Sequence, residues 1–261
     1  MSGADNAAMA VRETGKRLVP DHQLPAWMAP MVARIHGAGL DELLPRPALS
    51  APNGIARRSA VLMLFADGSS GPDLLLTARA STLRSHAGQP AFPGGKQDGA
   101  EDAVVTALRE GREETGLDPE SVVPAALFPD LFLGVTGFLV SPVLAYWRTP
   151  GPVFPVDLAE TAAVARVSVA ELADPARRGR VRHSSGYVGP AFQVADMVVW
   201  GFTAGLVEVL LDLGGWSVPW DRRRFIALPE LGAQLPDPEA GHLSDDEAVG
   251  GIAQRRSGGS G

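Results

Sequence analysis

Short apolar runs alternate along this chain with stretches in which apolar residues recur at helical spacing. The runs are bounded by glycine, proline and other turn residues, which predicts strands at residues 60–65, 74–77, 122–128, 138–147 and 164–169. Helical spacing predicts helices over residues 102–115, near 170–173 and over 201–213. This mixed order predicts the α/β class: a sandwich with a central mixed sheet, the first long helix on one side and the last helix on the other.

The pattern divides the chain into an N-terminal extension, a folded domain and a polar, glycine-rich tail, at residues 1–52, 53–225 and 226–261. Within the extension, residues 24–35 have helical spacing that would bury Trp27, Met31 and Ile35. The tail is predicted to be disordered, because its composition offers little apolar surface to bury.

The predicted helix over residues 102–115 has an unusual charge pattern in its last turn. Glu110, Glu113 and Glu114 stand at i, i+3 and i+4, so they share one face near the negative end of the helix dipole. Each like-charge pair costs about 0.2–0.5 kcal/mol and each misplaced acid about 0.3–1 kcal/mol. A bound hard cation is the simplest compensation. The alternative is a solvated acidic face, which the pattern disfavours because only Arg109 offers these acids a positive partner.

Composition and charge narrow the classes of function. The 261 residues carry a net charge of −7, which argues against a nucleic-acid partner held by general electrostatics. The chain has no cysteine, which excludes disulfides, thiolate metal sites and a cysteine nucleophile. No apolar run approaches the roughly 18–20 residues of a membrane span, and the N-terminus lacks the pattern of a secretory signal. We expect a cytoplasmic protein without a membrane partner, and leave a homodimer open.

The acidic helix lies inside a longer motif, Gly95-x5-Glu101-x7-Arg109-Glu110-Gly111-x-Glu113-Glu114-x-Gly116-Leu117. This motif resembles the signature of the Nudix hydrolases. One position departs from it, because the family usually has alanine or an aliphatic residue where this chain has Gly111. Glycine costs about 1 kcal/mol relative to alanine in a helix interior. It could still permit close packing of the helix on the sheet.

The segment upstream resembles the additional motif of the coenzyme A diphosphatases within this family: Leu75-Leu76-Thr77-Ala78-Arg79-Ala80-x3-Arg84-x3-Gly88-x3-Phe92-Pro93-Gly94-Gly95. A later run resembles the one that opens the last helix in the same subgroup: Trp200-Gly201-Phe202-Thr203-Ala204. The resemblance covers about residues 57–215.

The resemblance implies an α/β/α fold and an enzyme that needs Mg²⁺ or Mn²⁺. The implied reaction is hydrolysis of the diphosphate bond of coenzyme A or its thioesters, giving 4′-phosphopantetheine or its acyl form and adenosine 3′,5′-bisphosphate. One alternative is a Nudix hydrolase of ADP-ribose, a dinucleotide or a nucleoside triphosphate. Another is a non-catalytic nucleotide sensor, although the signature keeps every acidic position and no helix-turn-helix pattern stands out.

The resemblance also implies roles for residues of the signature. Glu110 and Glu114, one helical turn apart, are implied as metal ligands, and Glu113 as a third ligand or as a base acting on water. The backbone carbonyl of Gly94 is implied to complete the ligand shell, because glycine lets the main chain approach closely. Arg109 is implied to assist catalysis by orienting the glutamates.

Residues outside the helix are candidates for the remaining roles. Glu160 is a candidate general base, with an exposed loop residue as the alternative. Arg79 and Arg84 are candidates for binding the substrate phosphates, with salt bridges at the sheet edge as the alternative.

Four further features each keep two interpretations. Glu101 is a helix cap or a ligand of a second metal, with Asp102 as a competing cap. His86 contacts phosphate or stabilises a turn. The cluster of basic residues 177–183 is an exposed charged loop or, less favoured, a phosphate site. Trp200 is a core residue rather than an adenine platform.

Overall fold

The structure, a computed structural model, describes residues 14–36, 57–80, 88–134, 136–184 and 186–228. The strands are β1 Lys16–Arg17, β2 Arg57–Gly68, β3 Gly71–Arg79, β4 Pro90–Ala91, β5 Gly94–Lys96, β6 Val122–Leu127, β7 Leu131–Leu133, β8 Phe138–Trp147, β9 Thr161–Ser168, β10 Arg178–Arg182, β11 Val188–Val194 and β12 Met197–Val199. The helices are α1 Ala29–His36, α2 Ala103–Thr115, α3 Val169–Ala173 and α4 Gly201–Gly214, with 3₁₀ turns at Asp21–Gln23 and Pro119–Ser121. Within these residues, none of the helices has the length and apolar content that crossing a membrane requires.

A mixed sheet forms the centre of the fold, with strand order β1-β6-β8-β2-β3-β4. Strands β2 and β8 run parallel over ten residue pairs, from Arg57 opposite Phe138 to Ala66 opposite Trp147. The other pairings are antiparallel, including those of β5 with β2, β7 with β8 and β9 with β3. The predicted central mixed sheet is therefore confirmed.

Side chains alternate along β2 and feed two cores on opposite faces of the sheet. Leu62 and Leu64 pack with Ala107 of α2 on one face. Met63 and Phe65 belong to the larger core on the other face, which includes the apolar side of α4. Helices α2 and α4 thus cover opposite faces, which confirms the predicted sandwich.

The N-terminal segment packs against this sandwich. Strand β1 pairs with β6 at the sheet edge, and the side chains of Met31 and Ile35 in α1 are fully buried. Helix α1 begins at Ala29, later than predicted, and Pro30 then occupies its first turn, where a missing N–H has no cost. Trp27 precedes the helix, is partly buried, and donates its indole N–H to Asp67 at 2.9 Å.

A second, three-stranded sheet of β10, β11 and β12 was not predicted from the sequence. The expectation that the basic residues 177–183 form an exposed loop is wrong, because most of them lie in β10. Arg178 is 2% exposed and pairs with Glu208 at 3.0 Å. Its guanidinium carbon lies 5.1 Å from the ring centroid of Phe192 and 4.9 Å from that of Trp220. Aromatic faces and an acid from α4 therefore accept an arginine that its charge alone would place in solvent.

Candidate active site

Helix α2 begins and ends as its sequence predicts. The side chain of Asp102 caps it, accepting hydrogen bonds from the backbone N–H groups of Val104 and Val105, both at 2.9 Å. Gly116 ends it in the left-handed conformation, with φ of 70°. Of the two candidate caps, Asp102 has this role and Glu101 does not.

Gly111 lets α2 approach the sheet closely. A Cβ atom at this position would lie 2.9 Å from Cδ2 of Leu62 and 3.2 Å from Cδ2 of Leu117. The departure from the Nudix signature therefore has a packing reason, as the sequence suggested. The close approach fixes the distance between the last turn of α2 and the strands below it.

Arg109 ties together the acidic residues of the signature. Its Nε donates to Glu101 at 3.0 Å, and its Nη1 donates to both Glu110 and Glu113 at 2.9 Å. Its Nη2 donates to the backbone carbonyl of Lys96 at 3.0 Å. The bond with Glu101 is the largest cause that raises the pKa of Arg109 and lowers the pKa of Glu101. Arg109 is thus held by four groups and can orient two glutamates.

Glu110 and Glu114 lie against the two glycines that open β5. A Cβ atom on Gly95 would come within 2.4 Å of the carboxylate of Glu110. The backbone N–H of Gly94 donates to Oε2 of Glu114 at 3.3 Å. The amide of Gly94 therefore faces Glu114, whereas the sequence had suggested its carbonyl as a ligand. The absence of a side chain at Gly95 is what allows the carboxylate of Glu110 to lie against β5.

Burial and mutual repulsion disfavour the charged forms of these two carboxylates. The pKa of Glu114 is raised to about 7, mainly by burial and also by the nearby charge of Glu110, against the opposing effect of the Gly94 hydrogen bond. Burial also raises the pKa of Glu110, although Arg109 opposes this. Within the described part of the chain, Glu114 has no ion pair. A buried carboxylate without an ion pair among the described residues favours its protonated form.

The donor set fits a divalent cation that keeps part of its water. Within the described residues, no three acidic or histidine side chains are arranged to hold a metal ion. Glu113, 57% exposed, is paired with Arg109 instead of joining the other two. Mg²⁺ is usually bound by one or two carboxylates, with water and substrate phosphates as its other ligands. Glu110 and Glu114 supply that number of carboxylates, and hard oxygen donors suit Mg²⁺ and Mn²⁺ alike.

The raised pKa of Glu114 predicts a pH dependence of stability in metal-free protein. Because the folded state holds a proton that the unfolded state releases near its ordinary pKa of 4.5, the free energy of unfolding should fall as pH rises from about 4.5 to about 7. The loss should reach at most about 3 kcal/mol and level off above that range. Urea unfolding at a series of pH values in a chelator, compared between the native chain and Glu114→Gln, measures it. Equal slopes for the two proteins would contradict the assignment.

Arg79 and Glu160 both act on Glu114 through their charges. The positive charge of Arg79, the last residue of β3, lowers the pKa of Glu114, and the negative charge of Glu160 raises it. Nε of Arg79 is buried and has no hydrogen-bond partner among the described residues. Glu160 is exposed in the turn before β9, and its backbone carbonyl accepts a hydrogen bond from the N–H of Ala80 at 2.9 Å. Arg84 and His86 lie outside the described residues.

The remaining sequence candidate stands at the start of the last helix. Trp200 is 4% exposed at the junction of β12 and α4, and its ring stacks on His183 with centroids 5.4 Å apart. Its predicted role as a core residue is confirmed.

The sequence interpretation missed a neighbour of the site. The extended segment that precedes β9 runs beside the end of α2, where the N–H groups of Phe154 and Val156 donate to the carbonyls of Thr115 and Glu114 at 3.0 and 3.3 Å. The signal available in the sequence was the apolar residue at every second position of this segment, at 154, 156 and 158.

Comparison with known proteins identifies the family. The NUDIX domain family matches residues 56–185. A protein of Citrobacter koseri described as the uncharacterized Nudix hydrolase NudL is 36% identical over 190 residues, which cover 67% of this chain and 95% of that protein. The protein of the same description from Cronobacter sakazakii is 37% identical over 180 residues, covering 65% and 89%.

Among solved structures, the Nudix hydrolase RenU of M. smegmatis is similar with a TM-score of 0.44 and 21% identity, over 64% of this chain and 91% of that one. On the strength of its sequence relatives, the chain belongs to the Nudix hydrolases, enzymes that act on nucleoside diphosphate derivatives and generally use divalent metal ions.

Proposed function

We propose that this chain hydrolyses the diphosphate bond of coenzyme A or its thioesters. The observation that carries this proposal is that the charge of Arg79, whose buried Nε has no partner among the described residues, acts on the carboxylate of Glu114. Arg79 belongs to the motif that resembles the coenzyme A diphosphatases, and that motif ends at the two glycines that contact Glu110 and Glu114. These observations support the proposal that the motif serves the same site as the glutamates of the signature.

Glu110 and Glu114 are proposed to hold Mg²⁺ or Mn²⁺, with Glu113 and the backbone carbonyl of Gly94 as further ligand candidates. When bound, the ion neutralises phosphate charge and makes a coordinated water more acidic. Arg109 keeps the carboxylate of Glu110 directed at the site through its Nη1 hydrogen bond of 2.9 Å. Its other contacts, to Glu101 and to the carbonyl of Lys96, leave that side chain little freedom.

The proton of the attacking water needs an acceptor. Glu160 is proposed for this role, because its carboxylate is exposed and its charge acts on Glu114. Glu113 is the alternative acceptor, but Arg109 already donates a hydrogen bond to its carboxylate at 2.9 Å. The water oxygen bonds to one phosphorus, the bridging P–O bond breaks, and the bridging oxygen leaves with the other phosphate.

The guanidinium of Arg79 is proposed to bind a phosphate oxygen of the substrate through its Nε, which has no hydrogen-bond partner among the described residues. A planar guanidinium can engage two such oxygens, and a buried donor without a partner favours an anionic ligand. Arg84, five residues farther along the same motif, is proposed to bind the phosphate that distinguishes coenzyme A from ADP-ribose.

A substrate panel tests this proposal. The full chain with Mg²⁺ or Mn²⁺ should cleave coenzyme A with a kcat/KM at least about tenfold above that for ADP-ribose, a dinucleotide or a nucleoside triphosphate. Products separated by chromatography should be 4′-phosphopantetheine and adenosine 3′,5′-bisphosphate. Equal or reversed preference would favour the alternative hydrolases. Tight binding of a nucleotide without cleavage would favour the non-catalytic sensor.

A further inference from the structure

Exposed apolar side chains gather next to the active site. Among the described residues, the large apolar side chains that remain exposed are Val105, Phe154, Val156, Leu158, Val218 and Phe225. Three of them stand at alternate positions of one short segment, where Phe154 is 54%, Val156 52% and Leu158 72% exposed. We call these three residues the apolar stripe. Single exposed apolar residues are ordinary, but a row of three such residues indicates a surface that binds a ligand or a partner.

The main chain of the stripe is fixed against the catalytic helix. The N–H of Phe154 donates to Thr115 and that of Val156 to Glu114, so the segment satisfies backbone carbonyls at the end of α2. The ring of Phe154 lies over Gly116, where a Cβ atom would meet its Cζ at 3.1 Å. The stripe is therefore a built part of the site and begins beside the residue proposed to hold the metal.

The other end of the stripe is also fixed. The side chain of Asp157 accepts the N–H of Ala159 at 2.8 Å, and its carbonyl accepts that of Glu160 at 3.1 Å. Glu160 is the proposed proton acceptor, and its own carbonyl is held by Ala80. Leu158, the most exposed member, therefore projects from a turn anchored two residues before a proposed catalytic group.

Charge indicates which part of a substrate would lie here. Residues 149–160 contain two acids, Asp157 and Glu160, and no basic residue. The phosphates of the substrate would be repelled by this segment and attracted by Arg79 and the metal. The pantetheine arm carries amides and a hydroxyl, which prefer water or hydrogen-bond partners. A fatty acyl chain is the part of a coenzyme A thioester that has only apolar surface to offer.

We propose that the apolar stripe binds the acyl chain of coenzyme A thioesters, so that the enzyme prefers longer acyl chains. This inference rests on the proposed function and adds the substrate class to it. Each fully buried methylene strengthens binding about fourfold. The gain here should be smaller, because a surface stripe covers only one side of the acyl chain. We expect about a 10- to 100-fold rise in kcat/KM from acetyl- to decanoyl-coenzyme A, mainly through a lower KM.

The test compares the ratio of kcat/KM for decanoyl- and acetyl-coenzyme A among variants of the full chain. Leu158→Ser and Val156→Ser should each lower this ratio at least about threefold, whereas Leu158→Met should keep it. Val218→Ser is the matched control, because Val218 is 42% exposed and follows α4 on the opposite face of the sheet from α2. Substrates are kept below their micelle concentrations.

The outcomes separate this inference from the proposed function. If the native chain cleaves coenzyme A but shows no rise with chain length, or if Leu158→Ser keeps the rise, the acyl-binding role is wrong and the proposed function stands. If the native chain cleaves no coenzyme A compound, the proposed function itself fails. A change from dimer to monomer in sedimentation of Leu158→Ser would instead assign the stripe to contact between two copies and overturn the proposal.

Discussion

Replacing Glu114 with glutamine should lower kcat by about 10²–10³-fold while the protein stays folded. The amide has the size of the carboxylate but no negative charge, so it is a poor ligand for a hard cation. The neutral amide also no longer helps Glu110 to balance the positive charge of the cation. Steady-state hydrolysis with saturating Mg²⁺ or Mn²⁺ measures the loss.

The control for this change is Glu120→Gln. Glu120 is exposed in the 3₁₀ turn that follows α2, six residues after Glu114. Removing its charge should leave kcat within about twofold of the native value, because exposed charges away from the site contribute little. If Glu114→Gln kept kcat near the native value in folded protein, Glu114 would have no part in holding the metal.

Gly95→Ala should have the second largest effect, with activity lowered by about 10²-fold at nearly unchanged stability. The new methyl group would lie 2.4 Å from the Glu110 carboxylate, so this carboxylate must move. Moving the end of a flexible side chain costs little stability, but it takes a ligand out of position. Kinetics and thermal unfolding together measure the two effects, and Tm should stay within about 3 °C.

Two other glycines provide the comparison for Gly95→Ala. Gly151→Ala meets no atom within 4 Å and should change neither activity nor Tm. At Gly94 the methyl group would lie 2.4 Å from the backbone oxygen of Ala60 and 2.8 Å from Cα of Val61, so Gly94→Ala should lower Tm as well as activity. If Gly95→Ala had native activity, the close contact between Glu110 and β5 would not matter for catalysis.

Local signals made several elements of the fold predictable. Strand β8 occupies residues 138–147 as predicted, because a long apolar run there starts after Gly137 and ends before the polar Arg148. Helix α2 follows the sequence equally closely, because Asp102 and Gly116 mark its ends. In both elements, the information lies within a few residues of the boundary.

Other features depend on residues far apart in the chain. The buried position of Arg178 requires Phe192, Glu208 and Trp220, which only the folded chain brings together. The charge pattern alone therefore led to the wrong prediction that the basic residues of β10 form an exposed loop.

The acidic residues of the site also combine features that local sequence predicts with features that depend on distant residues. Spacing predicted that Glu110, Glu113 and Glu114 share a helix face with Arg109 as their positive partner, and the observed hydrogen bond of 2.9 Å from Arg109 to Glu113 agrees. Spacing alone could not distinguish Glu114, which lies against Gly94 with a raised pKa, from Glu113, which is mostly exposed. That difference comes from the approach of β5 to one edge of the helix.

Equilibrium binding of Mn²⁺, followed by the electron paramagnetic resonance of the free ion, tests the central claim most directly. We expect Glu114→Gln and Gly95→Ala each to weaken Mn²⁺ binding at least about tenfold, with Gly151→Ala and Glu120→Gln binding as the native chain does. Unchanged Mn²⁺ affinity in both Glu114→Gln and Gly95→Ala would contradict a metal site built from Glu110 and Glu114 against the glycines of β5.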